Sequence, residues 1–197
     1  SWLPGNEHVT SAWDILSGTA VPGDDVLVVD GTGRHVALSA AEACHRKGAR
    51  VRFATIDESL AAEQAYSERV IWRKWVREAG VPLHYEEQLR EVRSDGNRLV
   101  AVLQNELTGE TTELSADQVV FDYGTAPAAE IYFELQSQSV NGGETHLETL
   151  VAGQPQPAAR ETRQQAGGFE LHRIGDAVSS RNIHSAVLDA LRLCQFA

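Results

Sequence analysis

Apolar and amphipathic stretches alternate along the first third of the chain. Residues 26–29 form a short apolar run after a turn at 22–25, a pattern typical of a strand buried in a parallel sheet. An alanine-rich stretch at about 36–47 predicts a helix, and a second apolar run at 51–55 predicts the next strand. A strand, a helix and a strand within about thirty residues form the repeating unit of parallel sheets. The pattern therefore predicts an α/β fold with a Rossmann-like parallel sheet.

Signals on both sides of this unit extend the same architecture. Ser11 and Asp14 resemble the polar residues that cap the start of a helix, and they predict a short helix that ends at Gly18. The apolar spacing at 59–79 predicts a long helix, and the residues at 81–85 predict a third strand.

The hydrophobic pattern then changes to a period of two. Three segments alternate between apolar and polar positions and are separated by turns that contain glycine: 89–93, 99–105 and 111–114. Alternation interrupted by such turns predicts an antiparallel three-stranded meander. The apolar run at 118–123 then returns the chain to the parallel sheet.

The last third of the chain differs in composition. Gln, Ser, Gly, Pro and Thr dominate residues 136–168, which predicts a loop-rich excursion. Residues 169–174 then predict a strand, and 182–193 predict a helix with its apolar positions on one side. The predicted organisation is a Rossmann-like domain at 11–130, the loop-rich excursion, and a C-terminal strand–helix segment at 169–194.

Composition and charge exclude several classes of protein. The chain of 197 residues carries 28 acidic and 17 basic side chains, and its net charge of -11 argues against nucleic acid or an anionic membrane as a partner. No stretch approaches the roughly 20 apolar residues that span a bilayer. The histidines lack the spacing of metal ligands. Cys44 and Cys194 are too few for a disulfide framework or an iron–sulfur site, so we expect a cytoplasmic protein.

The first candidate site is the glycine-containing turn formed by Gly31, Thr32 and Gly33. It lies between a predicted strand and a predicted helix, where glycines let backbone amides approach a pyrophosphate. These three residues are therefore candidate ligands of a nucleotide cofactor, either NAD(P)H or FAD/ADP.

Two positions depart from the dinucleotide-binding pattern. The third glycine would fall at Val36, and the ribose-binding carboxylate would fall at Thr55, with Asp57 two residues late. Two interpretations stay open at this point: an intact NAD(P) site, or a turn that keeps the fold without the binding.

The second candidate site follows the predicted strand at 169–174. Gly175 and Asp176 place a carboxylate and free amides at the end of that strand, an arrangement that suits the phosphates or ribityl chain of a nucleotide or flavin. Alternatively, Asp176 only caps the next turn. Arg181 and Asn182 follow directly, either as phosphate contacts or as a solvated helix start.

With these motifs assembled, the chain resembles a known family. The sequence SAWDILSG at 11–18, VLVVDGTG at 26–33 and RIGDAVSSRNIH at 173–184 resemble the C-terminal region of the trimethylamine dehydrogenase and dienoyl-CoA reductase class of NADH:flavin oxidoreductases. The resemblance covers about residues 2–194. The departures at Val36 and Thr55 make the chain more similar to the amine dehydrogenase or N-demethylase branch of this class.

The resemblance implies more than the residues establish by themselves. The class that this chain resembles consists of enzymes with three parts. An N-terminal barrel holds FMN and a 4Fe–4S cluster, an FAD/ADP-binding domain follows, and an NAD(P)-type domain is inserted in the FAD/ADP-binding domain. By this resemblance, residues 11–130 are the inserted domain, and 169–194 are the last strand and helix of the FAD/ADP-binding domain.

The expected function follows from the same resemblance. We expect a fragment of a flavin-dependent oxidoreductase that acts by hydride or electron transfer, on small N-methylated amines, with no catalytic residue in this chain. The expected partners are a nucleotide cofactor and the N-terminal barrel of the same parent chain, which we expect to form a homo-oligomer. The alternative is a non-catalytic Rossmann-like domain with a structural or interaction role, and a self-sufficient NAD(P)H reductase is a weaker third interpretation.

Overall fold

The computed structural model describes residues 3–157 and 168–195. The chain divides into two compact units, an N-terminal unit that ends at Gly124 and a C-terminal unit that starts at Thr125.

A parallel sheet of five strands forms the centre of the N-terminal unit. The strands are β1 Val9–Ser11, β2 Asp25–Asp30, β3 Arg50–Thr55, β4 Leu83–His84 and β8 Gln118–Asp122. Their order across the sheet is β1-β8-β2-β3-β4, and each neighbouring pair is parallel. Every residue of β2 is buried, as the apolar run predicts for a central strand.

Three helices connect these strands. They are α1 Ala12–Ser17, α2 His35–Arg46 and α3 Tyr66–Ala79. The Ser11 hydroxyl accepts a hydrogen bond from the Trp13 amide, and Gly18 ends α1 in the left-handed conformation. The predicted cap and end of this helix are therefore confirmed.

The predicted helix at 59–79 is too long at its start. Only Tyr66–Ala79 is helical, because the preceding residues wrap around the glycine turn instead. The Glu63 amide donates to the Gly33 carbonyl at 3.0 Å, and the buried Ala61 has a left-handed φ of 56°. Tertiary contacts thus override the helical propensity of this stretch.

The meander packs on the opposite face of the parallel sheet from α2. Its strands, β5 Glu87–Asp95, β6 Arg98–Asn105 and β7 Thr111–Ala116, pair antiparallel in the predicted order. Because side chains alternate along a strand, Val26 and Val28 of β2 face the helices, whereas Leu27 and Val29 face the meander. The predicted fold class, a Rossmann-like parallel sheet with an antiparallel meander, is confirmed.

The C-terminal unit is built from short helices and loops. Its helices are α4 Glu130–Leu135, α5 Leu147–Val151 and α6 Ile183–Cys194, and short 3-10 turns occur at Gln136–Gln138 and Gly175–Ala177. The predicted C-terminal helix is thus present. Part of the predicted loop-rich excursion, residues 158–167, lies outside the described residues, and the predicted domain limits stay predictions.

The strand predicted at 169–174 is not formed. These residues pair with no strand in the described part of the chain, and they bind a loop instead. The Val140 amide donates to the Phe169 carbonyl at 3.0 Å, and the Asn141 side chain makes hydrogen bonds with both backbone groups of Leu171. A strand requires a neighbouring strand for its ladder, and here a side-chain amide satisfies the backbone.

No helix within the described ranges is long and apolar enough to cross a membrane.

Candidate functional site: two glycine turns

The first glycine turn lies at the carboxyl end of the central strand β2. In the parallel register, Asp30 at the end of β2 is paired with Thr55 of β3 on one side and with Asp122 of β8 on the other. Ligands of open α/β sheets bind at this edge. The structure therefore places Gly31, Thr32 and Gly33 where a nucleotide would be expected.

The amides of this turn are already hydrogen-bonded within the chain. Asp30 Oδ1 accepts from the Thr32 amide at 2.9 Å and from the Gly33 amide at 3.1 Å. It also lies 3.0 Å from the Thr32 hydroxyl. Since a pyrophosphate would need these same N–H groups, the Asp30 carboxyl stands where the ligand's oxygens would bind.

Asp30 is fully buried, and its environment changes its acidity. The pKa of Asp30 is raised to about 6: burial is the largest cause, the hydrogen bonds from Thr32 and Gly33 act in the lowering direction, and the nearby Asp122 carboxyl acts in the raising direction. The second carboxyl oxygen, Oδ2, has no hydrogen-bond partner among the described residues.

Asp122 joins the same turn from β8. Its Oδ2 lies 3.1 Å from the Thr32 hydroxyl, and its Oδ1 accepts from the Gly124 amide at 3.2 Å. The Thr32 hydroxyl thus lies between two carboxyl groups, Asp30 and Asp122, although it has a single hydrogen to donate.

Side chains also fill the space over both glycines. A Cβ added to Gly31 would lie 2.4 Å from the Tyr123 ring, so only glycine fits under that ring. A Cβ added to Gly33, whose φ is +64°, would lie 2.6 Å from Asp57 Oδ2. The pKa of Asp57 is raised, chiefly by burial and next by the Glu63 carboxyl. The turn is therefore enclosed by acidic and aromatic groups of its own unit.

The two departures from the dinucleotide pattern have structural consequences. Val36 lies in the first turn of α2 and packs into the helix-side core, the hydrophobic cluster between the helices and the face of the parallel sheet that carries Val26 and Val28. Thr55 is buried, and its hydroxyl accepts a hydrogen bond from the Asp57 amide at 3.2 Å. Neither position provides the ribose-binding or close-packing feature of the pattern.

The second glycine turn lies in the C-terminal unit, at the 3-10 turn Gly175–Ala177. Gly175 is buried with a φ of +56°, and its amide donates to Asp189 Oδ2 at 3.2 Å. Arg181 forms an ion pair with the same Asp189 oxygen. The Asn182 side chain accepts from the Ser185 amide at 2.8 Å and so caps α6.

An open groove of about 450 Å³ adjoins this second turn. Its polar end is formed by Asp176, Ser180, Arg181 and Asn182, and its apolar side is formed by residues of α6, namely Ile183, Ala186, Val187 and Ala190. The Asp176 side chain is exposed there, and its carboxylate is a suitable acceptor for ligand hydroxyl groups.

The predicted site residues therefore form two groups in separate units, one at each turn. Sequence reasoning missed Asp30 and Asp122, which contact the first turn most directly. The signal was present: each is an acidic residue at the end of an apolar run, and the carboxyl ends of neighbouring parallel strands meet. In the residues that the structure describes, no group of three or more His, Cys, Asp or Glu side chains is placed to hold a metal ion.

Comparison with known proteins identifies relatives over almost the whole chain. The chain is 43% identical over 189 residues to the "Probable N-methylproline demethylase" of Rhizobium meliloti (strain 1021), and the match covers 96% of this chain and 27% of that protein. It is 39% identical over 188 residues to the N,N-dimethylglycine/sarcosine dehydrogenase of Chromohalobacter salexigens, and this match covers 95% of this chain and 27% of that protein.

A third relative extends this group. The chain is 39% identical over 194 residues to the multifunctional alkene reductase/demethylase OYE of Caballeronia cordobensis, and 98% of this chain and 28% of that protein are covered. The chain thus spans about a quarter of the length of the curated relatives that it matches. No family model matches the chain.

Solved structures agree on the fold. Histamine dehydrogenase from Rhizobium sp. 4-9 matches with a TM-score of 0.69 at 16% identity, over 96% of this chain and 26% of that one. Lactococcus lactis thioredoxin reductase matches with a TM-score of 0.63 at 21% identity, over 98% of this chain and 59% of that one. At these identities the likeness establishes the fold alone.

The chain combines a Rossmann-like parallel sheet and an antiparallel meander with a sequence that is similar, over at least 95% of its length, to part of three longer proteins. The predicted resemblance to the C-terminal region of the trimethylamine dehydrogenase and dienoyl-CoA reductase class of NADH:flavin oxidoreductases, and to its amine dehydrogenase or N-demethylase branch, is confirmed.

Proposed function

We propose that this chain is a nucleotide-binding-fold segment of a flavin-dependent oxidoreductase that acts on small N-methylated amines by hydride or electron transfer. The observation that carries this proposal is the 39–43% identity to three curated proteins over at least 95% of the chain. Two of them are named for N-methylproline, N,N-dimethylglycine and sarcosine, which share a methylated amine next to a carboxylate.

The chemistry of such an enzyme belongs to the flavin, and protein groups position it. We place no catalytic residue in this chain. By the resemblance, FMN and a 4Fe–4S cluster belong to a barrel in another part of the parent protein, and FAD or ADP belongs to the second glycine turn. The groove beside Asp176 supports the latter assignment, because its carboxylate is exposed while Ser180 and Arg181 line the same polar end.

The partners that we propose are a nucleotide cofactor, the barrel of the same parent chain and a second copy of the parent in a homo-oligomer. We also propose a cytoplasmic location. Cys44 and Cys194 are both free thiols, which suits a reducing compartment.

A second candidate function applies to the N-terminal unit. One observation favours a structural or interaction role for it without a bound nucleotide: the Thr32 and Gly33 amides donate to Asp30. On this interpretation the Rossmann-like sheet serves as a packed structural core, and the first glycine turn connects β2 to α2 without binding a ligand.

The test of the main proposal uses the longer protein that contains this chain. We expect flavin absorbance in the purified protein and turnover of N-methylproline, N,N-dimethylglycine or sarcosine with an artificial electron acceptor. Proline and glycine, which lack the methyl group, serve as matched controls and should not turn over. A protein without flavin bands, or equal rates on methylated and unmethylated compounds, would contradict the proposal.

Calorimetry tests the cofactor assignment separately. We expect ADP or FAD to bind the longer protein and Asp176→Asn to weaken that binding. Glu148→Gln, the same kind of change at an exposed side chain of the C-terminal unit, should leave it unchanged. Equal affinity in the wild type and Asp176→Asn would overturn the role of Asp176.

A further inference from the structure

The structure points to an internal closure of the first glycine turn. We propose that Asp30, Thr32 and Asp122 form a proton-dependent lock, in which one carboxyl proton is shared by the two aspartates and the turn amides are kept from any anionic ligand. This inference is independent of the proposed function, because it concerns only contacts inside the N-terminal unit.

The Thr32 hydroxyl has too few hydrogens for two ionised carboxyls. The Thr32 hydroxyl lies 3.0 Å from Asp30 Oδ1 and 3.1 Å from Asp122 Oδ2, and its oxygen also accepts from the Arg34 amide at 3.3 Å. With both carboxyls ionised, its single hydrogen satisfies one of them and leaves the other facing an oxygen lone pair. One added proton completes the hydrogen-bond chain between the two carboxyls.

The surroundings of Asp30 and Asp122 also favour a shared proton. Asp30 is fully buried, and its Oδ2 has no hydrogen-bond partner among the described residues. The titratable groups nearest the turn are the carboxyls of Asp122, Asp57 and Glu63 and the phenol of Tyr123, whose ring covers Gly31. The flanking Arg34 and His35 are exposed to solvent. Like charges next to a buried carboxyl favour its neutral form.

Asp30 also competes with the ligand that the fold would otherwise bind. A dinucleotide pyrophosphate needs the Thr32 and Gly33 amides, and both donate to Asp30. Displacing Asp30 would leave a buried carboxyl without its donors and would bring a pyrophosphate close to Asp57 and Asp122. The turn therefore does not fit NAD(P)H, and the carboxyl of Asp30 takes the place of the phosphate.

The sign of the pH effect follows from the direction of the shift. A carboxyl whose pKa is raised on folding stabilises the folded chain fully below its unfolded pKa, and this contribution is lost as the pH rises through the folded pKa. For Asp30 the two values are 3.8 and about 6. This corresponds to about a fiftyfold loss in the folding equilibrium constant between pH 4 and pH 7.

Chemical denaturation of the 197-residue chain from pH 4 to pH 8 tests the lock. Asp30→Asn keeps the oxygen that accepts the turn amides and removes the charge, so its folding equilibrium constant relative to that of wild type should rise by about fiftyfold between pH 4 and pH 7. Glu110→Gln, an exposed side chain with the same charge change, should follow the wild-type curve. Parallel curves for Asp30→Asn and wild type would overturn the proposal.

Infrared difference spectroscopy gives a readout that does not depend on stability. We expect the carbonyl stretch of a protonated carboxyl to disappear as the pH rises through about 6, to be absent in Asp30→Asn, and to titrate at lower pH in Asp122→Asn. A wild-type chain without this band at pH 5 would contradict the shared proton.

The closure is tested by amide NMR of the 197-residue chain. On addition of inorganic pyrophosphate at pH 5, where Asp30 and Asp122 share their proton, the Thr32 and Gly33 amide signals should not move. Saturable shifts at these two amides would overturn the lock. Loss of flavin from the longer protein would count only against the proposed function, and the two failures are therefore distinguishable.

Discussion

Arg98 Nη2 donates a hydrogen bond of 2.6 Å to Asp25 Oδ2, and this contact joins the first residue of β6 in the meander to the first residue of β2 in the parallel sheet. Arg50 and Arg52 of β3 bind the same carboxyl at 2.8 and 3.1 Å. One buried acidic side chain thus connects three strands from both sheets of the N-terminal unit.

We expect Asp25→Ala to lower the free energy of unfolding by about 2–4 kcal/mol, because it leaves partly buried guanidinium groups without their carboxylate. Asp24→Ala, at the exposed neighbouring residue, should change it by less than about 0.5 kcal/mol. Urea denaturation of both variants at pH 7 provides the measurement. Equal losses would show that Asp25 contributes no more than a surface residue.

The same cluster predicts part of the acid sensitivity of the chain. Burial raises the pKa of Asp25, but the hydrogen bonds from Arg50 and Arg98 outweigh it and leave the pKa below its ordinary value. A lowered pKa stabilises the folded chain above the unfolded pKa, and this contribution is lost as the pH falls through the folded pKa. Wild type should therefore lose more stability than Asp25→Asn below about pH 4.

A pair of glycines with the same backbone angle tests the crowding at the first glycine turn. Gly33 and Gly80 both have a φ of +64°, but only Gly33 has a neighbour, Asp57, in the space of a Cβ. Gly80→Ala should cost about 1–2 kcal/mol of unfolding free energy for the left-handed conformation alone. Gly33→Ala should cost about 1–2 kcal/mol more. Denaturation curves measured side by side would contradict this if the two losses were equal.

Asp189 is expected to hold the second glycine turn in place. Asp189→Ala removes the acceptor of the buried Gly175 amide and the partner of Arg181, and should cost about 1–3 kcal/mol of local stability. Hydrogen exchange should show a faster Gly175 amide in this variant. Asp176→Ala, which removes an exposed side chain, should leave the exchange rate of the Gly175 amide unchanged. Faster exchange of the Gly175 amide in Asp176→Ala would argue against the role of Asp189.

Local patterns predicted most of the fold of the N-terminal unit. The apolar run of β2 and the turn at 95–97 specify a buried strand and a hairpin through nearby residues alone, and both are present. The start of α3 was wrong because residues 59–65 contact the turn at Gly33, which is distant in sequence. The strand at 169–174 was wrong because a strand depends on a neighbour that sequence does not reveal.

The position of the first glycine turn was predicted from the sequence, but the contacts that Asp30 and Asp122 make with it were not. Glycines between a strand and a helix correctly located the turn at the carboxyl edge of the sheet. The role of Asp30 depends on its side chain folding back onto the next two amides, and that of Asp122 depends on the pairing of β8 with β2. The sequence marks both only as acidic residues at the ends of apolar runs, and their contacts with the turn become visible in the three-dimensional structure.

The two cysteines should differ sharply in reactivity. Cys44 lies fully buried on α2 in the helix-side core, and burial raises the pKa of its thiol to about 11. Cys194 is exposed at the end of α6. Because the thiolate is the reactive form, we expect an aromatic disulfide reagent at pH 8 to modify Cys194 alone in the folded chain, and Cys44 only after urea is added. The variant Cys194→Ser should show no reaction before unfolding, and rapid labelling of that variant under native conditions would contradict the burial of Cys44.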